Sequence, residues 1–119
     1  MTMTRTTTEE NFGKDIIESG LLSIVEFKAE WSGSCQIVAP IFENLATSYK
    51  GLADFYIVDI EEEKTIANAY AIMDLPTILF FKNGEVIDYV TGLTSKNMLK
   101  EKISKGLLIQ LRHTLFMYK

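Results

Sequence analysis

The sequence predicts an α/β domain built on a central mixed β-sheet, with helices on both faces of the sheet. Two observations predict this fold class. Segments with the apolar pattern of buried strands alternate with segments of helical periodicity, and this order favours right-handed parallel crossovers. Towards the C-terminal end, two β-rich segments flank Asn83-Gly84, a dipeptide typical of the turn in an antiparallel hairpin. The sheet is therefore expected to combine parallel strands with one antiparallel hairpin.

The spacing of apolar residues and one glycine predict the elements of the first part of the chain. Residues 1–8 are rich in threonine and are expected to form a loose leader or a short first strand. Residues 9–19 carry apolar side chains at helical spacing and precede Gly20, which predicts a first helix. The compact run of branched apolar residues at 21–27 predicts a central strand that is buried on both faces.

A long amphipathic helix is predicted over residues 34–49. Ile37, Ile41 and Leu45 follow one another at one-turn intervals, with Val38 and Phe42 beside them, and this spacing is typical of an amphipathic helix. Pro40 falls inside the same segment. Because proline lacks a backbone N–H and its ring crowds the preceding turn, a kink is expected there.

The second half of the chain is predicted to begin with a buried strand over residues 53–60. Three glutamates then suit the positive end of a helix over residues 61–70, where they are expected to be solvated. The β-rich segments 77–82 and 85–91 are expected to be antiparallel neighbours in the hairpin.

A last helix and a tail complete the predicted organisation. Thr94 or Ser95 can cap this helix, and its inward-facing residues are expected to be Met98, Leu99 and Ile103. The domain is predicted to span residues 1–107, which leaves 108–119 as a C-terminal extension. An apolar stripe could prolong the helix into this extension and form a dimer contact. A disordered or self-packing tail is the alternative, because Gly106 weakens helix continuity.

Composition and charge exclude several function classes. The net charge of -4, with scattered lysines and arginines, argues against a nucleic-acid or anionic-membrane partner. The single cysteine, Cys35, cannot form an intramolecular disulfide, and no apolar run reaches the roughly 18 to 20 residues of a membrane span. Without signal-peptide organisation, the expected location is cytoplasmic. The only histidine, His113, has no companion cluster, so no metal site is predicted.

The most informative segment is Phe-Lys-Ala-Glu-Trp-Ser-Gly-Ser-Cys at residues 27–35, which leaves the predicted central strand and opens the long helix. It resembles the active-site signature of the thioredoxin family. The resemblance covers residues 9–107 and includes further matching positions: Pro40, Asp59, Leu75-Pro76-Thr77, the hairpin at 81–85, and Gly92. It implies the thioredoxin fold and a role in thiol–disulfide redox homeostasis similar to that of protein-disulfide reductases, with no cofactor.

In that family, two cysteines separated by two residues act in turn on a substrate disulfide. The first attacks, and the second resolves the mixed disulfide. The resemblance puts Ser32 at the attacking position and Cys35 at the resolving position, which the family shields from solvent. A serine hydroxyl stays protonated at neutral pH unless a base takes its proton, and His113 lies beyond the resemblance. The chain is therefore expected to have weak or absent dithiol activity.

Other positions around Cys35 also depart from the family pattern. Glu26 stands where the family often has a buried aspartate that moves protons near the resolving thiol. It is thus a possible proton shuttle, unless its carboxylate reaches water instead. The family's frequent lysine partner is Ile57 here, so the ionised form of Glu26 lacks a stabilising charge. Ser34 and Gln36 replace a common proline and a common lysine, which suggests altered redox chemistry.

Five retained positions imply a peptide-docking groove: Trp31, Gly33, Leu75, Pro76 and Gly92. By resemblance, the peptide bond before Pro76 is cis, and the backbone there pairs with an extended substrate by strand addition. The expected partners are a protein or peptide with a disulfide or thiol, and a thiol reductant. In the alternative, Trp31 and Pro76 are retained only for folding.

Three interpretations of function stay open. In the first, Cys35 acts as a monothiol that forms mixed disulfides and relies on a second thiol for release. In the second, the groove holds a partner without catalysis. In the third, the chain is an ordinary family member whose attacking cysteine was deliberately replaced by serine. The main prediction is a thioredoxin-like redox protein with weak or absent disulfide reductase activity.

Overall fold

The computed structural model describes residues 3–117, and a five-stranded sheet forms its centre. In chain order, the elements are β1 (Arg5–Thr6), β2 (Leu22–Lys28), α1 (Gly33–Ser48), β3 (Ala53–Asp59), α2 (Lys64–Ala69), β4 (Thr77–Lys82), β5 (Glu85–Thr91) and α3 (Lys96–Met117). The strand order is β1-β3-β2-β4-β5. β1 and β2 run parallel to β3, whereas β4 runs antiparallel to β2 and β5. The predicted mixed sheet is confirmed.

The hairpin between β4 and β5 has the predicted two-residue turn. Lys82 pairs with Glu85 across the strands, and the backbone φ angles are +53° at Asn83 and +80° at Gly84. Positive φ at both central residues is the requirement of the turn that matches the twist of the flanking strands, and Asn-Gly meets it at low steric cost. The dipeptide therefore sets the register of the hairpin.

Two apolar clusters, one on each face of the sheet, form the core. On one face, α1 and α3 bring apolar side chains onto the sheet: Val38, Phe42, Leu45, Leu99 and Ile103. On the other face, the segment before β2 and helix α2 cover the inner strands with a smaller set: Phe12, Ile16 and Ile66. The expectation of helices on both faces is thus confirmed.

The predicted first helix is much shorter in the structure. Only Gly13–Ile17 is helical, as a single π-helical turn in which the backbone N–H of Glu18 donates to the carbonyl of Gly13. Phe12 and Ile16 are buried, but Ile17 is 38 % exposed. Since only two apolar side chains reach the core, one turn is enough to position them.

Helix α1 buries Val38, Phe42 and Leu45 of the predicted apolar set but leaves Ile37 at the surface. Ile37 is 59 % exposed, and the buried residues are Cys35, Val38, Phe42, Leu45 and Ala46. Neighbouring residues on a helix are about 100° apart around its axis, so the apolar residues of α1 form two overlapping stripes. Contact with the sheet buries one of these stripes. The same effect leaves Met98 exposed in α3, although Leu99 and Ile103 are buried as predicted.

The last helix begins at a serine cap and continues past the expected glycine break. The Ser95 Oγ accepts a hydrogen bond from the backbone N–H of Met98 at 3.1 Å. α3 then runs through Gly106 into the tail, as far as Met117. A Cβ atom at Gly106 would lie 2.9 Å from Leu22 Cδ2. Gly106 therefore allows close packing of α3 on β2, whereas the domain boundary at residue 107 stays a prediction.

Gly106→Ala is expected to destabilise the protein by about 1 kcal/mol, even though alanine is the better helix former. The added methyl group would overpack against the fully buried Leu22, and this cost of about 1–3 kcal/mol exceeds the gain in helix propensity. Urea denaturation would measure the change. In a double-mutant cycle, Leu22→Val removes the crowding Cδ atoms and should reduce the cost. A stabilised Gly106→Ala protein would contradict this account.

Candidate functional site

Ser32 connects β2 to α1 and acts as the N-cap of the helix. Its Oγ accepts a hydrogen bond from the backbone N–H of Cys35 at 3.2 Å. The backbone of Ser32 is extended, with φ -84° and ψ 118°, which is the usual geometry of an N-cap. This capping role is not among the sequence-based expectations, although the preference of serine for N-cap positions was a usable signal. Ser32 thus has a structural function whatever its chemistry.

Cys35 lies in the first turn of α1 and is the free cysteine of the chain. Its exposed fraction is 4 %, and that of Ser32 is 8 %. A reagent therefore has little direct access to either side chain. Gly33, between them, is exposed, and Ser34 is half-buried.

A second loop lies at the same edge of the sheet as the Ser32 turn. The Leu75–Pro76 peptide bond is cis, and the carbonyl of Pro76 accepts a hydrogen bond from the N–H of Gly92 at 2.8 Å. Thr77, the next residue, is the register partner of Phe27 near the end of β2. The loop containing Pro76 is therefore placed beside the strand end that leads to the Ser32 turn.

The predicted groove residues at this edge differ in exposure. Trp31 is 66 % exposed, and Gly92 has a positive φ of +74°, a conformation that favours glycine. Pro76 itself is buried, and Leu75 is half-buried. Of the predicted site residues, the structure thus brings the turn residues Trp31, Ser32, Gly33 and Cys35 to one sheet edge with Leu75, Pro76 and Gly92.

Glu26 lies deeper, within the central strand, and is 2 % exposed. The alternative in which its carboxylate reaches water is therefore wrong. Its register partners on the two neighbouring strands are Ile57 and Ile78, and among the described residues its Oε2 has no hydrogen-bond partner. Burial raises the pKa of Glu26 from 4.5 to about 7, against a smaller lowering by the charge of Lys28.

Lys28 offsets only part of the effect of burial on the pKa of Glu26, and its ammonium group is paired with another carboxylate. Its Nζ lies 2.9 Å from the Glu30 carboxylate, in a pair on the protein surface. That hydrogen bond is the main cause of the raised pKa of Lys28. The buried carboxylate of Glu26 is therefore held mainly in its protonated form at slightly acidic pH.

Neither a metal centre nor a membrane span is found in the part of the chain that the structure describes. Among the side chains that the structure describes, no group of three or more His, Cys, Asp or Glu residues could hold a metal ion. Within residues 3–117, no helix combines the length and apolarity needed to cross a membrane. The backbone of His113 is part of α3, but its side chain is outside the described set, so the prediction for it is untested.

Comparison with known proteins gives consistent matches. The family model described as Thioredoxin matches residues 3–105. A thioredoxin from Chlorobaculum thiosulfatiphilum is 37 % identical over 98 residues, which are 82 % of this chain and 91 % of that protein. A thioredoxin from Rickettsia felis is 37 % identical over 105 residues, which are 88 % of this chain and all of that protein.

A solved structure extends the similarity to three dimensions. The crystal structure of Malassezia sympodialis thioredoxin (Mala s 13) superposes on this chain with a TM-score of 0.81. The two share 28 % sequence identity, and the alignment covers 90 % of this chain and 93 % of the other.

Proposed function

Because the chain belongs to the thioredoxin family, we propose that it serves thiol–disulfide redox homeostasis without a dithiol cycle of its own. One observation carries the proposal. At the β2–α1 junction, the side chain at the family's attacking position is Ser32, and its Oγ is used as a helix cap. The single cysteine of the chain, Cys35, stands at the family's resolving position. At most, monothiol chemistry at Cys35 remains.

The local environment of Ser32 would favour ionisation of a thiol but has little effect on a hydroxyl. The positive end of α1 favours an anion at its N-terminus, and this field lowers the pKa of cysteines at such positions. A serine hydroxyl needs a general base to become a nucleophile. Glu26 is not suited to that role, because it is buried within the central strand, between Ile57 and Ile78.

Monothiol chemistry would consist of two successive thiol–disulfide exchange steps. The thiolate of Cys35 attacks a disulfide sulfur, the mixed disulfide forms, and the other sulfur leaves as a thiolate. A second thiol, such as a low-molecular-weight reductant, then attacks the mixed disulfide and regenerates Cys35. The burial of Cys35 limits the first step, because exchange rates depend on access to the thiol.

A noncatalytic binding module is the second candidate function. It is favoured by the contrast between the buried Cys35, at 4 %, and the exposed Trp31, at 66 %. An extended peptide could dock at the backbone of Leu75 and Gly92 by strand addition, with no covalent step. A deliberate replacement of cysteine by serine would leave the same surface.

Reduction of insulin by dithiothreitol, followed by turbidity, tests the absence of a dithiol cycle. The protein and its Cys35→Ala variant are expected to give the same rate as dithiothreitol alone. A catalytic rate in the parent that Cys35→Ala abolishes would overturn the proposal. It would mean that Cys35 is accessible and activated despite its burial.

Mass spectrometry after incubation with glutathione disulfide separates the two candidate functions. Monothiol chemistry predicts a glutathione adduct at Cys35 in the folded protein, removed by added glutathione. A binding module predicts an adduct only after denaturation in urea, because the folded protein shields the thiol. The Cys35→Ala variant, which has no thiol, is the control for both conditions.

A further inference from the structure

A pocket of about 360 Å³ lies on the face of the sheet formed by β4 and β5, next to the loop that leads into Pro76. It exists because the side chains that cover β4 on this face leave the edge strand β5 partly exposed. Leu79 and Phe81 of β4 belong to the cluster covered by Phe12 and Ile16. Their register partners on the edge strand β5 are Tyr89 and Val86, which are 60 % and 42 % exposed.

The pocket lies beside the edge where the docking groove is proposed. Residues 71–74 line one side of it, and the chain passes directly from them into the Leu75–Pro76 bond. Thr77 and Thr91 also line the pocket and are register partners. They flank the hydrogen bond between Pro76 and Gly92. Since successive side chains of an extended peptide point to opposite sides, a peptide docked at this edge can direct a side chain into the pocket.

The lining of the pocket combines apolar and aromatic groups with one carboxylate. Leu79 and the 89 %-exposed Met73 give apolar surface, and Tyr89 presents an exposed ring. Asp74 is the one charged residue among the described residues of the lining. It is exposed, and the three ion pairs found among the described side chains all involve other carboxylates.

We propose that this pocket is a specificity subsite for a long cationic side chain, arginine above all, on an extended peptide docked at the Pro76 edge. The inference rests on the proposed docking function. The aliphatic stem would lie against Leu79 and Met73, and the cation would lie over the ring of Tyr89 and pair with Asp74. A planar guanidinium suits both the ring and the carboxylate better than an ammonium does. The net charge of -4 also favours encounter with a basic peptide.

Fluorescence anisotropy with labelled decapeptides tests the subsite. Each peptide is an extended, β-prone sequence, and arginine, leucine or glutamate is placed in turn at each position. At one position, the arginine peptide is expected to bind roughly three- to tenfold more tightly than the leucine peptide. The glutamate peptide should bind most weakly, and added salt should reduce the preference for arginine.

Matched variants assign the preference to named groups. Asp74→Asn keeps the backbone carbonyl that accepts the Thr77 Oγ1 hydrogen bond but removes the charge, so it should lower the arginine preference without weakening the leucine peptide. Tyr89→Leu should do the same, whereas Tyr89→Phe keeps the ring and should retain the preference. Circular dichroism checks that each variant is folded.

The outcomes separate this inference from the docking function beneath it. Peptides that bind with no preference for arginine at any position would overturn the subsite and leave the docking groove standing. A preference that persists in Asp74→Asn and Tyr89→Leu would place cation recognition elsewhere and also overturn the subsite. If no peptide binds, both the proposed docking function and the proposed subsite are overturned.

Discussion

Ser32→Cys is expected to convert this protein into an active disulfide reductase. The substitution puts a thiol at the N-cap of α1, where the helix dipole and the adjacent N–H groups favour the thiolate. Cysteines at helix N-termini, thioredoxin's own among them, have pKa values below the roughly 8.5 of a free thiol. Cys35 lies in the first turn of α1, so the variant would carry both an attacking and a resolving thiol.

Insulin reduction by dithiothreitol measures this gain, with the parent protein expected at background. Titration of free thiols provides a second readout, because the oxidised variant should lose both thiols to an internal disulfide. The double variant Ser32→Cys/Cys35→Ala keeps the attacking thiol and should not turn over efficiently. Ser32→Ala should stay inactive. A folded but inactive Ser32→Cys protein would contradict this prediction, because it would show that the chain lacks another group that reductase activity needs.

The new thiol is also expected to reduce stability. The Ser32 Oγ accepts the N–H of Cys35, and loss of an N-cap hydrogen bond costs about 1 kcal/mol. Since a thiol is a weak acceptor, reduced Ser32→Cys should unfold at a lower urea concentration than the parent. The gain in activity would therefore accompany a small loss of stability.

The stability of the parent protein is expected to fall as the pH rises from 4.5 to 7, because of Glu26. In the unfolded chain this carboxyl has a pKa of 4.5, and burial raises its pKa in the folded protein to about 7. Between these values the unfolded state releases a proton that the folded state keeps, so unfolding becomes more favourable. Stability from this group is fully present below pH 4.5 and is lost as the pH passes through 7. The total loss is about 3 kcal/mol.

Glu26→Gln isolates this effect because it removes the ionisable group and keeps the size of the side chain. At pH 8 the variant should be more stable than the parent by about 2–3 kcal/mol, whereas at pH 4.5 the two should be similar. Urea denaturation from pH 4.5 to 8 gives both curves. Glu10→Gln, at an exposed position, is the surface control. Parallel pH curves for the parent and Glu26→Gln would refute a buried, ionisable Glu26.

The sequence alone predicts which residues form the candidate site, but not which atoms surround them. The segment 27–35 and Leu75-Pro76 were recognised from their residues alone, and the structure brings both to one edge of the sheet. The capping role of Ser32 and the isolation of Glu26 needed the fold, because each depends on which atoms lie nearby. The pocket between residues 71–74 and β5 had no sequence signal, since its lining comes from three separate segments.

By itself, the sequence determined the order of strands and helices from β2 to α3, the mixed sheet and the Asn83-Gly84 turn. These features depend on periodicity and backbone preference over a few residues, so local signals are sufficient. Only the tertiary structure decided that Ile37 faces water and that α3 continues through Gly106. Both depend on contacts between distant segments. The sheet covers one of the two apolar stripes on α1, and Leu22 packs so close to α3 that it leaves no room for a side chain at residue 106.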